Sequence, residues 1–206
     1  MKIHFSKAKF LTITLCAIAL LGSAKADEHA WRPVEIEVYA SIFKELDSRS
    51  LEGRELVVRE LTSASSGIAI PGTKPFNTIR KRIPKAGNGV ILDFLRVSAY
   101  PVRFPPGLAD YGVKTPYTIM LDKTYLEIFA NEGGAANPWG QFHEVYPRSE
   151  GGFVTFSRVG YDMKTAQALV YAEYACGFLC GRGSLHLLVK KSGKWAQVAA
   201  ATVWVS

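Results

Sequence analysis

From Gly152 onward the sequence breaks into four β-rich runs, Phe153–Val159, Gln167–Ala175, Ser184–Lys191 and Trp195–Val205, separated only by GYDMKTA, CGFLCGRG and SGK. A parallel return to the same sheet needs a crossover of about a dozen residues or more, so connections this short force antiparallel neighbours. The four runs therefore read as a C-terminal meander. The third alternates Leu185, Leu187 and Val189 with Ser184, His186 and Lys190, the pattern of a strand buried on one face. Trp195 and Trp204 bracket the last run and read as core anchors.

The segments upstream are more helical. Pro33 suits a first helical position, and Val34, Val38, Ile42 and Leu46 recur every fourth residue behind it. That stripe predicts a helix facing a core, with Glu35, Glu37, Lys44, Glu45 and Asp47 mainly on the solvent side. Glu55–Thr62 and Tyr117–Leu121 read as strands, and Ser63–Pro75 as a flexible loop by composition. Gly89–Ala99 fits helix or strand, and we read it as helix; PVRFPPG is an irregular crossing. Asp122 is placed to cap a helix carrying Tyr125, Leu126, Ile128 and Phe129. Trp139, Phe142 and Val145 line a last short helix that Pro147 stops. The whole reads as α+β: helices packed on one face of an antiparallel sheet that ends in a four-stranded C-terminal meander.

The N-terminus reads as a secretory leader. Lys2, Lys7 and Lys9 precede a 13-residue apolar run, Phe10–Gly22, and Ala24-Lys25-Ala26 fits a signal-peptidase site. A run of that length falls short of the roughly 20 apolar residues a bilayer span needs. Cleavage after Ala26 is expected to remove Cys16 and leave residues 27–206 as a single α+β domain in the periplasm or outside the cell. The leader holds four of the 25 basic residues and no acid, which leaves 21 against 18, a net charge of +3 rather than +7. That balance does not call for a nucleic-acid partner, and no later segment approaches transmembrane length.

Only Cys176 and Cys180 then remain, four apart at the tip of a predicted hairpin. An oxidising compartment and an even count favour a disulfide, with Gly177, Gly181 and Gly183 expected to supply the positive φ of the tip. The rival is a copper or zinc site made by Cys176, Cys180 and His186. A redox pair would want CxxC at a helix start instead.

Catalytic motifs are incomplete. Ser41-x-x-Lys44 and Lys191-Ser192-Gly193 spell fragments of the penicillin-binding set, without its third element and with Ser41 in mid-helix. His143-Glu144 lacks the second histidine of HExxH, since Pro147 stands there. Gly67–Lys74 misses the phosphate-binding spacing by one position. The cluster Arg80, Lys81, Arg82 and Lys85 reads as a solvated face. A possible ligand face gathers Arg158, Tyr171, Glu173 and His186 on one side of the meander, beside Trp139 and Phe142, with Asp162 or Glu173 as the carboxylate expected to meet Arg158.

The blocks FSRVGY (Phe156–Tyr161), QALVY (Gln167–Tyr171), CGFLCGRG (Cys176–Gly183), GKW (Gly193–Trp195) and VWVS (Val203–Ser206) follow one another closely. They resemble a family of small exported bacterial proteins that share these blocks and have no assigned activity. Between the cysteines that family often carries a second glycine or a small residue, where this chain has the bulkier Phe178 and Leu179. The resemblance implies a hairpin scaffold in the cell envelope and carries over no catalytic residue. The expectation is an exported, non-catalytic binding or interaction module, with no cofactor, that meets another envelope protein or a small molecule. The alternatives are a hydrolase of an envelope substrate and a periplasmic metal carrier.

Overall fold

The computed structural model describes residues 30–47, 54–68, 74–130 and 137–206. The expected leader, its cleavage site and Cys16 lie outside the described residues, as do residues 69–73 of the expected loop Ser63–Pro75. The elements run α1 (Pro33–Asp47), β1 (Glu55–Arg59), α2 (Pro75–Arg82), α3 (Asn88–Val97), β2 (Tyr117–Met120) and α4 (Asp122–Tyr125). They continue with α5 (Pro138–Val145), β3 (Ser149–Phe156), β4 (Gly160–Asp162), β5 (Gln167–Gly177), β6 (Cys180–Lys191) and β7 (Lys194–Val205).

One mixed sheet, mostly antiparallel, runs β2-β1-β3-β5-β6-β7, with β4 pairing β5 beyond the end of β3. The α+β reading holds, and β3, β5, β6 and β7 form the expected antiparallel meander. Two parallel pairings, β1 with β2 and β1 with β3, extend it at the other end. The turn into β7 has two central residues, Ser192 at φ 47° and Gly193 at φ 77°. Positive φ at both positions matches the right-handed twist of a hairpin.

Helices cover both faces of the sheet rather than one. On the first face, Val58, Val154, Phe156, Val170 and Leu188 pack with Val38, Tyr39 and Phe43 of α1. On the second, Leu169, Tyr171, Leu185 and Leu187 pack with Ile79 of α2 and with Val90, Ile91 and Phe94 of α3. Val57 and Phe153 alternate with first-face residues, so they also point to the second face. There they meet Met120, Ile128, Phe142 and Tyr146 in a third core. The sign of two-sided burial was local: Leu56-Val57-Val58 and Ala168 to Tyr171 are unbroken apolar runs, buried at every position, as strands covered on both faces are.

Three local expectations are corrected. The buried face of α1 is turned by one residue, to Glu35, Tyr39 and Phe43 with Val38, while Val34 and Ile42 are half-buried. The described parts of Ser63–Pro75 are anchored rather than free. Ser63 bridges to Ser157, Ile68 is fully buried in the second core, and Pro75 opens α2 at its first turn. Asp122 is not a cap, because Leu121 holds that position; it pairs with Arg59 at 3.0 Å. Past α4 the chain continues as a π-helical turn, Leu126–Ala130. None of the described helices is long and apolar enough to cross a membrane.

Candidate functional site

Arg158 lies just past β3, with the parity of Phe156, and its side chain turns to the α1 face. Its guanidinium is bidentate on Glu35, Nη2 to Oε1 at 2.6 Å and Nε to Oε2 at 3.1 Å. Both side chains are buried, at 2 % and 0 % exposure. Arg32 donates to the same carboxylate at 2.7 Å, to Asp93 of α3 at 2.8 Å and to the Val159 carbonyl. The Trp31 ring stacks 5.0 Å from the Arg158 carbon, and the Tyr39 hydroxyl donates to the Ser157 carbonyl. The network joins α1, α3 and the β3–β4 link. Every charge in it has an opposite partner, the condition under which buried charge is tolerated.

Tyr39 and Asp93 of this network are electrostatically displaced. The Tyr39 phenol is pushed well up by burial and by the nearby Glu35 charge. For Asp93, burial works to raise the pKa, but hydrogen bonds from Arg32, the Tyr161 N–H and Arg96 outweigh it and hold the carboxyl below its usual range. A depressed folded-state pKa contributes stability above the unfolded value of about 4, lost as pH falls through the folded one. The acid limb of the stability curve, followed by circular dichroism, is therefore expected to flatten below pH ~4 in Asp93→Asn. An unchanged limb would refute the assignment.

On the second face, Tyr171 and Glu173 project side by side from β5, with Thr155 opposite Glu173 on β3. They occupy the seam between the second and third cores. Ser63 Oγ donates to Glu173 Oε2 at 2.9 Å, and Trp204 Nε1 donates to the Tyr171 hydroxyl at 2.6 Å. The phenol in turn hydrogen-bonds Glu173, and burial together with that carboxylate raises its pKa. The result is a relay from Trp204 through Tyr171 to Glu173, with Ser63 as second donor. Ser63 had no signal in the sequence; it arrives through the pairing of the Leu61–Ser63 segment with Arg103 and Ser157.

At the hairpin tip Cys176 and Cys180 are disulfide-bonded, with Cα atoms 5.1 Å apart. Between them Phe178 and Leu179 stand 74 % and 87 % exposed. The last residue of β5 paired with β3 is Ala175, opposite Phe153; on the other side Val205 stands opposite Arg182, and the Ser206 N–H donates to the Gly181 carbonyl at 3.0 Å. Gly177, Phe178 and Leu179 form the tip between the two cysteines. The expected positive φ at Gly177, Gly181 and Gly183 is not found. Gly183 is small for another reason: a Cβ there would fall 2.2 Å from Trp204 Nε1 and from the Tyr171 hydroxyl.

Of the expected ligand face, the structure brings Tyr171 and Glu173 together and adds Ser63 and Trp204. It does not bring Arg158 or His186 to them. Arg158 pairs with Glu35, not with Asp162 or Glu173, because α1 lays a buried carboxylate over it. His186 stands opposite Val170, on the first face, with Nδ1 2.6 Å from Gln197 Oε1. Trp139 and Phe142 belong to the third core. The two sulfurs are bonded to each other and so offer His186 no thiolate partner. Among the described residues no group of three or more His, Cys, Asp or Glu is placed to hold a metal ion. Ser41 and Lys44 are not a dyad: Ser41 Oγ donates to the Trp195 carbonyl and Lys44 Nζ to that of Tyr111.

Compared with known proteins, the chain matches no family model, no curated protein and no solved structure.

Proposed function

We propose that this is an exported, non-catalytic interaction module that meets another envelope component through its disulfide-tipped hairpin. The observation that carries the reading is the pair Phe178 and Leu179, held outward by the bond immediately behind them. Large exposed apolar side chains at a cross-linked tip mark a contact surface. Pre-ordering the tip lowers the entropy lost on binding. The apolar segment and cleavage motif at the N-terminus support export, as does the disulfide itself.

Two measurements test it. The intact mass of protein recovered from the envelope of a bacterial host is expected to correspond to a chain starting at Asp27 and lighter by two hydrogen atoms than the dithiol, with nothing for an alkylating agent to modify. A full-length chain, with Cys16 retained and three reactive thiols, would refute export. A photo-cross-linking phenylalanine analogue in place of Phe178 is expected to capture one discrete envelope component. The same group at Met163, which is 81 % exposed in the β4–β5 turn, is expected to capture none. Equal labelling from both positions would remove the tip as the contact surface.

The staple is expected to matter more to binding than to folding. The loop it closes is short, so loss of the bond in Cys176→Ser/Cys180→Ser costs about 2 kcal/mol in the chain-entropy account. Urea unfolding would show this, and a loss of twice that size would mean the bond holds the fold itself.

A further inference from the structure

The sheet ends at β7, whose outer edge pairs with no other strand among the described residues. An edge strand presents a row of N–H and C=O groups ready to pair, and natural edges are blunted by charge, proline or bulges. From Trp195 to Val205 this edge has neither charge nor proline. Its shields are two bulges, where Val198 and Val203 are the extra residues against β6. Between them Ala199–Thr202 pairs without a break. Near its start, the Trp195 carbonyl accepts from Ser41 of α1.

Charge indicates what fits the rest. From Tyr174 to Ser206 there is no acidic residue, while Arg182, Lys190, Lys191 and Lys194 are basic. Lys190 is engaged by Glu37 of α1; the other three are exposed. Arg182 stands opposite Val205 at one end of β7, and Lys191 faces Lys194 at the other. The edge thus has no charged side chain along its length and basic side chains beside both ends.

We propose that β7 accepts an extended, acid-flanked segment of another protein as one more strand of the sheet. Backbone pairing along Ala196–Val205 supplies the affinity, and carboxylates at the ends of the added strand meet Arg182 at one end and Lys191 with Lys194 at the other. A second copy of this chain fits less well, because it would set two basic, acid-free ribbons beside each other. The inference rests on the interaction-module reading but on a different surface from the hairpin tip.

The test uses the full chain and two N-acetylated peptides, each an alternating valine–threonine segment flanked at both ends by glutamates in one and by lysines in the other. The glutamate-flanked peptide is expected to slow hydrogen exchange along β7 and to bind about tenfold or more tightly than its lysine counterpart at low salt. That preference is expected to fade as ionic strength rises. Arg182→Glu/Lys191→Glu/Lys194→Glu is expected to invert it, with an unchanged melting temperature showing that the fold survives. Equal affinities, protection away from β7, or a dimer whose β7 amides are already protected without peptide would each overturn the proposal. A peptide result that fails while the Phe178 cross-link persists removes the edge and leaves the tip; the reverse removes the tip alone.

Discussion

Replacing Glu35 by alanine is expected to lower the free energy of unfolding by about 3–5 kcal/mol, the range for removing one partner of a buried ion pair. Glu35 accepts from both Arg32 and Arg158, so its loss removes the bidentate carboxylate from an Arg158 guanidinium that is 2 % exposed. The Trp31 ring stays against that guanidinium, but a ring face, worth about 2 kcal/mol in such a setting, does not replace a carboxylate. Arg158→Ala is expected to cost less, because Glu35 keeps Arg32. The double replacement Glu35→Leu/Arg158→Met is expected to recover much of the loss, since apolar residues of similar volume often match a buried pair. Urea denaturation of the four chains compares the three losses. Additive single effects, with no recovery in the double variant, would show that the pair is not the unit described.

The second large effect is expected at Gly160. An added Cβ would lie 2.4 Å from the Phe94 Cβ and 2.5 Å from the Phe94 backbone nitrogen and Cα. Because the backbone of α3 is the obstacle, no side-chain rotation relieves the clash. Moving α3 away would stretch the Asp93 contacts to Arg32 and to the Tyr161 N–H, both 2.8 Å. Gly160→Ala is therefore expected to cost about 3 kcal/mol or more, at or beyond the upper end of ordinary overpacking. Gly193→Ala is the comparison: it has nothing within 4 Å and only a positive φ to lose, which costs about 1–2 kcal/mol. If the two variants unfold at the same denaturant concentration, the close approach of α3 to β4 is not the constraint we take it to be.

What the sequence revealed follows from how local each signal is. The meander was legible because its turns are short and leave no other pairing. The disulfide was legible because two cysteines sit in one hairpin. Helix α2 was hidden by its own composition: Arg80, Lys81 and Arg82 read as a charged surface, although Thr78 and Ile79 beside them are buried. The role of Glu35 was invisible for a different reason. A glutamate at a helix start reads as solvated until its counterion is known, and that counterion lies 123 residues away. The seam of Ser63, Tyr171, Glu173 and Trp204 joins three distant segments in the same way. Two of its members were expected together only because they are two apart on one strand.

The distance between Glu35 and Arg158 also has a kinetic side. Helix α1 leaves the ribosome early, but the residue that neutralises its inward carboxylate is made near the end of the chain, as are Val170 and Leu188 of the face that α1 covers. A chain extended only as far as β3 holds α1 with one arginine, Arg32, and an uncovered apolar side. Closing contacts of such long sequence separation is slow. Docking of α1 on the sheet is therefore expected to wait until the C-terminal strands have been made.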